Sequence, residues 1–197
     1  MVVWFIVTTS IFNDDPIRQE QYTRGITTLQ SHIHDMDSRL IVVENNGLRR
    51  TFLDDLGCEV YYTQNNLLPT QNKGCKELKD ILDCIIQYSI PGSDFIVKMT
   101  GRYILQPDSL FMKTIKEREH DCVLRYGSFV DLKFNANDCI TGLIGMKCGL
   151  IKTIEFPNEI DSVEWKWAKA SHVAKTILHL NCLGISICPG GNTYICV

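Results

Sequence analysis

The chain has 197 residues, of which 45% are hydrophobic and 22% are charged. This composition is close to the average of a globular protein and allows one domain with a sizeable core. The formal net charge is -3, so no global basic field favours nucleic acid as a partner, and any anion site must be local. No apolar run approaches the roughly 18 residues that a membrane-spanning helix requires.

The nine cysteines are irregularly spaced and include no CxxC pair, which disfavours a structural zinc site. The first residues, MVVWFIVTTSIFNDD, are apolar but lack a basic region and a small-residue cleavage site. They predict a first strand and not a signal peptide. We therefore expect free, reduced thiols and a cytoplasmic location.

Strand-like and helix-like segments alternate over the first two-thirds of the chain. The opening run VVWFIVTTS is apolar and β-branched, which is the pattern of a strand buried on both faces. Asp15 is the expected N-cap of the helix that follows, with Pro16 at its first position. The predicted strands cover residues 2–10, 39–47, 58–64 and 91–105, and the predicted helices cover residues 15–34, 48–57 and 73–89.

The last third has a different pattern. Short strand-like segments at 121–127, 131–151 and 185–197 accompany one predicted helix at 162–180. The whole pattern predicts an α/β fold with a mostly parallel, doubly wound sheet, helices on both faces and a mixed C-terminal extension. No repeat, low-complexity tract or linker divides the chain, so we expect a single domain over residues 1–197.

Ligands of doubly wound sheets bind outside the carboxyl ends of the strands, where the strand order reverses. The polar residues that follow each predicted strand are therefore the candidate site residues. They are Thr8, Thr9, Ser10, Glu44, Asn45, Asn46, Thr63, Lys98, Arg102 and Tyr103.

Three cations predict a diphosphate site. Lys73 stands at the start of a predicted helix, where free N–H groups and the macrodipole favour an anion. Lys98 and Arg102 belong to VKMTGRY at residues 97–103, in which Gly101 permits a close approach of the backbone. The alternatives are a solvated lysine and an arginine that pairs with a carboxylate.

Two acidic residues and two histidines each allow two interpretations. Glu44 either accepts hydrogen bonds from a base or ribose or belongs to an Asn-Asn-Gly turn. Glu164 either forms a capping box with Asp161 or is a catalytic carboxylate at a helix N-terminus. His172 and His179 lie seven residues apart on one predicted helix, and we favour packing or surface placement over metal binding.

Several familiar catalytic motifs do not occur in the chain. There is no HExxH, GxGxxG, Walker-type loop or GxSxG. Their absence disfavours metalloproteases, dehydrogenases, P-loop kinases and serine hydrolases.

The opening strand running into TTS, the arginine and tyrosine on the first helix, VVENNG, NKGCKEL and above all KMTGRY resemble small glycosyltransferases of the A-type (GT-A) fold. Such enzymes occur in bacterial and large-virus glycan gene clusters. The resemblance covers most of residues 2–170. It implies a nucleotide-binding half at about 1–105 and an acceptor half at about 106–197.

The resemblance implies a nucleotide-sugar donor, such as a UDP- or GDP-sugar, held across the first four strands. Thr8, Thr9 and Ser10 would line the nucleotide, with Glu44 and Asn45 near the base or ribose.

The resemblance also implies roles in the chemistry. Lys73 would lie near the diphosphate or the donor sugar, and Tyr103 would help to position a sugar ring. Lys98, Arg102 and Tyr103 stand where such enzymes often carry Asp-x-Asp, and Glu164 stands where inverting members place their catalytic base.

The chain departs from the family at the metal-binding motif. A-type enzymes commonly hold Mn²⁺ or Mg²⁺ through Asp-x-Asp after the fourth strand, where this chain reads DFIVKMTGRY. Asp94 precedes that strand, and DMD at 35–37 precedes the second one. Either the metal is held otherwise or protein cations replace it, and we favour the second alternative.

The resemblance implies an inverting glycosyltransferase that acts on the hydroxyl of a glycan or glycoconjugate acceptor. A sugar nucleotidyltransferase is the first alternative, although the first loop lacks the glycines and arginines that would hold a triphosphate. A non-catalytic protein that binds nucleotide sugars or carbohydrate is the second.

Overall fold

The computed structural model describes residues 1–12, 15–130, 132–157, 161–187 and 195–197. Its strands are β1 (Val3–Thr9), β2 (Ser38–Glu44), β3 (Glu59–Tyr62), β4 (Phe95–Thr100), β5 (Ile104–Leu105), β6 (Cys122–Leu124), β7 (Leu143–Lys147), β8 (Ile177–His179), β9 (Ile185–Ile187) and β10 (Ile195–Cys196). Its helices are α1 (Pro16–Ile33), α2 (Lys73–Gln87), α3 (Leu110–Glu117), α4 (Cys148–Ile151) and α5 (Val163–Ser171).

The central sheet has the strand order β3-β2-β1-β4-β7-β6-β8. All neighbouring pairs are parallel except those of β7, which runs antiparallel to β4 and β6. The chain moves outward from β1 to β3 and returns through α2 to β4 on the other side of β1. The strand order therefore reverses between β1 and β4, and the predicted mostly parallel, doubly wound sheet is confirmed.

Helices cover both faces of the sheet, as the period of two along β1 requires. Val3, Phe5 and Val7 pack on the side of α1 and α3. Trp4 and Ile6 pack on the side of α2 and α5. On β4 the same alternation places Lys98 on the side of α2, because its neighbours Val97 and Met99 belong to the opposite core.

The predicted fourth strand at 91–105 is wrong in its extent. It divides into β4 and the short β5, which leaves the central sheet and pairs antiparallel with β9 in a sheet of order β10-β9-β5. The turn between the two strands is held at Gly101, whose N–H donates to Thr8 O at 3.0 Å.

Three other element predictions need correction. The helix predicted at 162–180 ends at Ser171, and β8 follows it. The helix predicted at 48–57 is a short 3₁₀ turn at Phe52–Asp55. Helix α3, which Ser109 caps by accepting from Met112 N, was not predicted from the sequence. Within the described ranges, no helix is both long and apolar enough to cross a bilayer.

Candidate active site

Two adjoining cavities lie at the carboxyl ends of the central strands. The larger has a volume of about 660 Å³ and the smaller a volume of about 110 Å³. Lys73, Glu77, Thr100 and Arg102 line both. These four side chains therefore form the boundary across which the two cavities meet.

Three residues that line the smaller cavity each carry a buried polar atom without a hydrogen-bond partner. Thr8 Oγ1, Ser10 Oγ and Asn45 Oδ1 are buried and accept or donate no hydrogen bond, and all three residues line this cavity. A buried polar group without a partner costs about 1–3 kcal/mol. Three such atoms around one space indicate a binding site for a polar ligand.

Positive charge surrounds the same space. Four cations line the smaller cavity, of which Lys73 and Arg102 were predicted from the sequence. They are Arg18, Lys73, Lys76 and Arg102. Lys76 also donates from Nζ to Asn66 O at 2.6 Å. Lys76 lies three residues after Lys73 and therefore on the same side of α2. This spacing would have allowed Lys76 to be predicted as a site residue from the sequence.

Thr9, which is among the residues that line the smaller cavity, is joined to the buried Glu44. Thr9 Oγ1 donates to Glu44 Oε2 at 2.7 Å, and the backbone N–H groups of Ile11 and Asn46 donate to the same carboxylate. Glu44 is 0% exposed and also pairs with Arg49 at 3.7 Å. The predicted contact of Glu44 with a base or ribose does not fit, because its oxygens already hold the loop after β1.

Lys98 does not face either cavity as a diphosphate ligand. Its side chain is 3% exposed, and its Nζ lies 2.6 Å from Glu77 Oε2. The ammonium also donates to Thr100 Oγ1 at 2.9 Å and to Thr141 O at 2.7 Å. All three of its N–H bonds are therefore used within the protein, and Lys98 holds two residues of the cavity boundary in place.

Gly101 brings the next part of VKMTGRY against β1. A Cβ at this position would lie 2.9 Å from Thr9 Cγ2 and 3.1 Å from Thr8 O. The predicted close backbone approach is thus observed, and it positions Arg102 at the boundary of the cavities. Arg102 Nη1 donates to Gln21 Oε1 on α1 at 3.4 Å.

Tyr103 lines the larger cavity and packs on Gly142. A Cβ on Gly142 would lie 2.9 Å from Tyr103 Cδ2 and would overlap Cε2. The absence of a side chain at Gly142 therefore leaves the space that the Tyr103 ring occupies in the cavity wall. This arrangement leaves a phenol ring beside the cations of the boundary.

The N-terminus of α2 holds the N-terminus of α5. Asn72 caps α2 by accepting from Gly74 N at 2.9 Å, and its Nδ2 donates to Asp161 O at 3.3 Å. A Cβ on Gly74 would overlap the Val163 side chain, so the glycine permits the two helices to touch. The contact brings the start of α5 to the larger cavity.

Glu164 lies in the first turn of α5 and lines the larger cavity. Its Oε2 accepts from Ser162 Oγ at 2.8 Å, and its carbonyl accepts from Cys139 Sγ at 3.3 Å. The N-cap is Ser162, without a side-chain cap bond, and Asp161 pairs with Lys166 at 3.0 Å. The capping-box interpretation is wrong, and the Glu164 carboxylate faces the cavity.

The larger cavity combines acidic and apolar walls. Asp138 and Glu164 lie among its lining residues, together with Phe129. Trp167 is buried, whereas Trp165 is 60% exposed beside Glu164 on α5. Carboxylates beside aromatic rings suit a sugar, which offers hydroxyl donors and an apolar ring face.

Asp80 is a buried carboxylate on α2 that the sequence analysis missed. It accepts from Asn45 Nδ2, Thr63 Oγ1 and Asn65 Nδ2, each at 2.8 Å. Burial raises the pKa of Asp80 to about 7. The residue joins α2 to the ends of β2 and β3 and fixes the orientation of Asn45 at the smaller cavity.

The remaining expectations concern a metal ion and the cysteines. The described residues contain no group of three or more His, Cys, Asp or Glu side chains that could hold a metal ion. Asp94 accepts from Val2 N and Trp4 Nε1. The cysteines of the described ranges are unpaired, and Cys188 lies outside them.

The two histidines do not share a helix face. His172 is the C-cap of α5 and His179 lies in β8. Both rings pack against Tyr126, at centroid distances of 5.8 and 5.6 Å. They belong to a cluster of rings, as the packing interpretation expected.

Comparison with known proteins defines the fold. No protein-family model matches the chain, and no curated protein does. A solved structure of 4-diphosphocytidyl-2C-methyl-D-erythritol synthase superposes with a TM-score of 0.53 at 9% identity, covering 91% of this chain and 89% of that one. The chain has the fold of nucleotide-diphospho-sugar transferases.

Two further solved structures share this A-type fold. A protein of Desulfovibrio desulfuricans G20, to which nucleotide-diphospho-sugar transfer has been assigned, gives a TM-score of 0.51 at 11% identity over 91% of this chain and 80% of its own. The galactosyltransferase LgtC, solved with donor and acceptor sugar analogues, gives 0.50 at 8% identity over 89% and 72%. The A-type fold is thus shared by sugar-transferring and nucleotidyl-transferring proteins.

Proposed function

We propose that the protein is a glycosyltransferase that moves a sugar from a nucleoside diphosphate sugar to an acceptor hydroxyl. The observation that carries this proposal is the pair of cavities with a shared boundary at the strand-order reversal. One cavity offers unpartnered oxygens and cations, and the other offers carboxylates and aromatic rings. Two different substrates that react with each other need such an arrangement.

In this proposal the nucleoside lies in the smaller cavity. Thr8, Ser10 and Asn45 bind its polar atoms through the oxygens that the protein leaves without partners. Residues at about 1–105 form this half, and residues at about 106–197 supply most of the acceptor side.

The diphosphate lies against Lys73 and Arg102 at the boundary. Fixed cations stabilise the negative charge that develops on the leaving diphosphate, and they act most strongly where water is excluded. Lys76 and Arg18 add positive charge on the nucleotide side. These side chains take the part that a divalent cation plays in enzymes with Asp-x-Asp, so transfer proceeds without an added metal.

The transfer step uses Glu164 as general base. The acceptor oxygen forms a bond to the anomeric carbon, its proton passes to the Glu164 carboxylate, and the bond from that carbon to the diphosphate oxygen breaks. The nucleoside diphosphate leaves with the electron pair. Attack from the face opposite the leaving group inverts the anomeric configuration.

A thermal-shift panel tests the proposal with UDP, GDP, CDP, ADP, dTDP and CMP. Any nucleotide that binds only the folded protein raises its apparent stability. We expect one of these nucleotides to raise the melting temperature in the presence of EDTA, and Thr8→Val to reduce that shift. Thr153→Val, an exposed threonine outside the cavities, is the matched control. If no nucleotide stabilises the protein, the proposal fails.

The panel is followed by incubation with the matching nucleotide sugar. Release of the nucleoside diphosphate, with slow hydrolysis in the absence of an acceptor, supports sugar transfer. Release of pyrophosphate from a nucleoside triphosphate and a sugar phosphate would instead support nucleotidyl transfer, the alternative on the same fold. Binding without turnover would support a non-catalytic protein.

A further inference from the structure

We infer that Glu77 and Thr100 bind hydroxyl groups of the transferred sugar, and that Glu77 makes the site selective for a neutral sugar over one that carries a carboxylate. This inference rests on the proposed function and specifies its donor class.

The position of Glu77 supports this role. Glu77 follows Lys73 by one turn of α2, and both residues line both cavities together with Thr100. The transferred sugar must lie between a nucleotide in the smaller cavity and an acceptor in the larger one. The side chains of the shared boundary are therefore those that meet the sugar during transfer.

The buried Lys98 holds both groups in a fixed orientation. Its Nζ contacts Glu77 Oε2 at 2.6 Å and Thr100 Oγ1 at 2.9 Å. The Glu77 side chain is 29% exposed, whereas the Lys98 side chain is 3% exposed. The carboxylate is thus presented to the cavity while the ammonium stays behind it.

The chemistry of this pair favours hydroxyl groups. A carboxylate accepts hydrogen bonds and donates none when ionised, so it suits the hydroxyls of a hexose. A sugar carboxylate at the same place would face a like charge at short range, which suppresses the wrong partner. The Lys98 ammonium lies behind the Glu77 carboxylate and its side chain is only 3% exposed, so the carboxylate is the charge that a bound sugar meets first. In the proposed function, Lys73 and Arg102 are engaged by the diphosphate.

The test measures dissociation constants for the nucleoside diphosphate that stabilises the wild-type protein, for its glucose derivative and for its glucuronate derivative. We expect the wild type to bind the glucose derivative about 10-fold or more tightly than the glucuronate derivative. Glu77→Gln keeps the shape and removes the charge, and it is measured below its melting temperature because it also leaves the buried Lys98 ammonium without its counter-charge. It reduces this ratio at least about 5-fold, mainly by tightening the binding of the glucuronate derivative. Glu117→Gln, an exposed carboxylate at the end of α3, leaves the ratio unchanged.

Thr100→Val provides a second variant that keeps the size of the side chain. This variant weakens the binding of the glucose derivative, because it removes a hydroxyl that would contact the sugar. It leaves the affinity for the nucleoside diphosphate alone within about 2-fold of the wild type. Equal ratios in the wild type and Glu77→Gln, or equal affinities of the wild type for the two sugars, would overturn the inference. In those cases the nucleotide still binds, so the proposed function would stand. Absence of nucleotide binding would instead refute the proposed function.

Discussion

Lys98 Nζ on β4 lies 2.6 Å from Glu77 Oε2 on α2, and this ion pair joins the sheet to the helix layer beneath the boundary of the two cavities. The ammonium is buried and the carboxylate is partly exposed. Removal of Glu77 and removal of Lys98 should therefore lower the free energy of unfolding by different amounts.

Glu77→Ala should destabilise the protein by about 3–5 kcal/mol, because it leaves a buried ammonium without its counter-charge. Lys98→Met should cost less, because the carboxylate that remains can reach water. The double variant should cost less than the sum of the two. Urea unfolding of all four proteins measures this coupling, and additive effects would contradict the account. Asp55→Ala, which breaks the exposed pair with Arg50, should change stability little, because water and salt screen a surface ion pair.

Gly74→Ala should displace the start of α5, because the added Cβ overlaps the Val163 side chain. Alanine is the better helix former by about 1 kcal/mol, yet overpacking typically costs about 1–3 kcal/mol. We expect lower stability and a loss of transfer activity, since Glu164 moves with α5. Gly92→Ala is the control, because its Cβ would lie 3.7 Å from Gly149 Cα in ordinary contact. Unchanged activity in Gly74→Ala would show that the contact does not position Glu164.

Glu164→Gln should lower the turnover number by about 10²–10⁴, the range of general base catalysis. The affinity for the nucleotide sugar should stay within about 2-fold, because Glu164 lines the acceptor cavity and not the smaller one. Initial rates and calorimetric binding measure the two effects separately. An equal loss of donor affinity would argue against the base role.

Asp80 should give the stability a distinct pH dependence. Burial raises the pKa of Asp80 to about 7, above the value of about 3.9 in an unfolded chain. Between these values the folded state binds the proton more tightly, so the contribution of this group to stability falls as pH rises from about 4 to about 7.

Urea unfolding of the wild type and Asp80→Asn across pH 4–8 isolates this contribution. The free energy of unfolding of the wild type should decrease relative to the variant by up to about 1.4 kcal/mol per pH unit. A difference that is constant with pH would show that the pKa of Asp80 is not raised.

The sheet was predictable because buried parallel strands are continuous apolar runs, and the helices between them have clear starts such as Asp15-Pro16. The short α3 was missed although Ser109 signals its N-cap. The predicted C-terminal end of α5 was too late, because the residues after Ser171 also fit a helical pattern. They form β8 instead, because that segment pairs with β6.

The candidate site was predictable where position along a strand or helix determines it. Lys73 and Arg102 line the cavities because one begins α2 and the other follows β4. Lys98 and Glu44 were misjudged because their partners are distant in sequence, on α2 and in the loop after β1. Such pairings across layers follow from tertiary packing, which leaves no periodic signal in a single sequence.

A crystal structure with the nucleoside diphosphate that gives the largest thermal shift tests the central claim most directly. The account predicts the nucleoside against Thr8, Ser10 and Asn45, and both phosphorus atoms within about 5 Å of the Lys73 and Arg102 side chains, the range of close charge–charge contact. A nucleotide bound elsewhere, or phosphates distant from both cations, would contradict it.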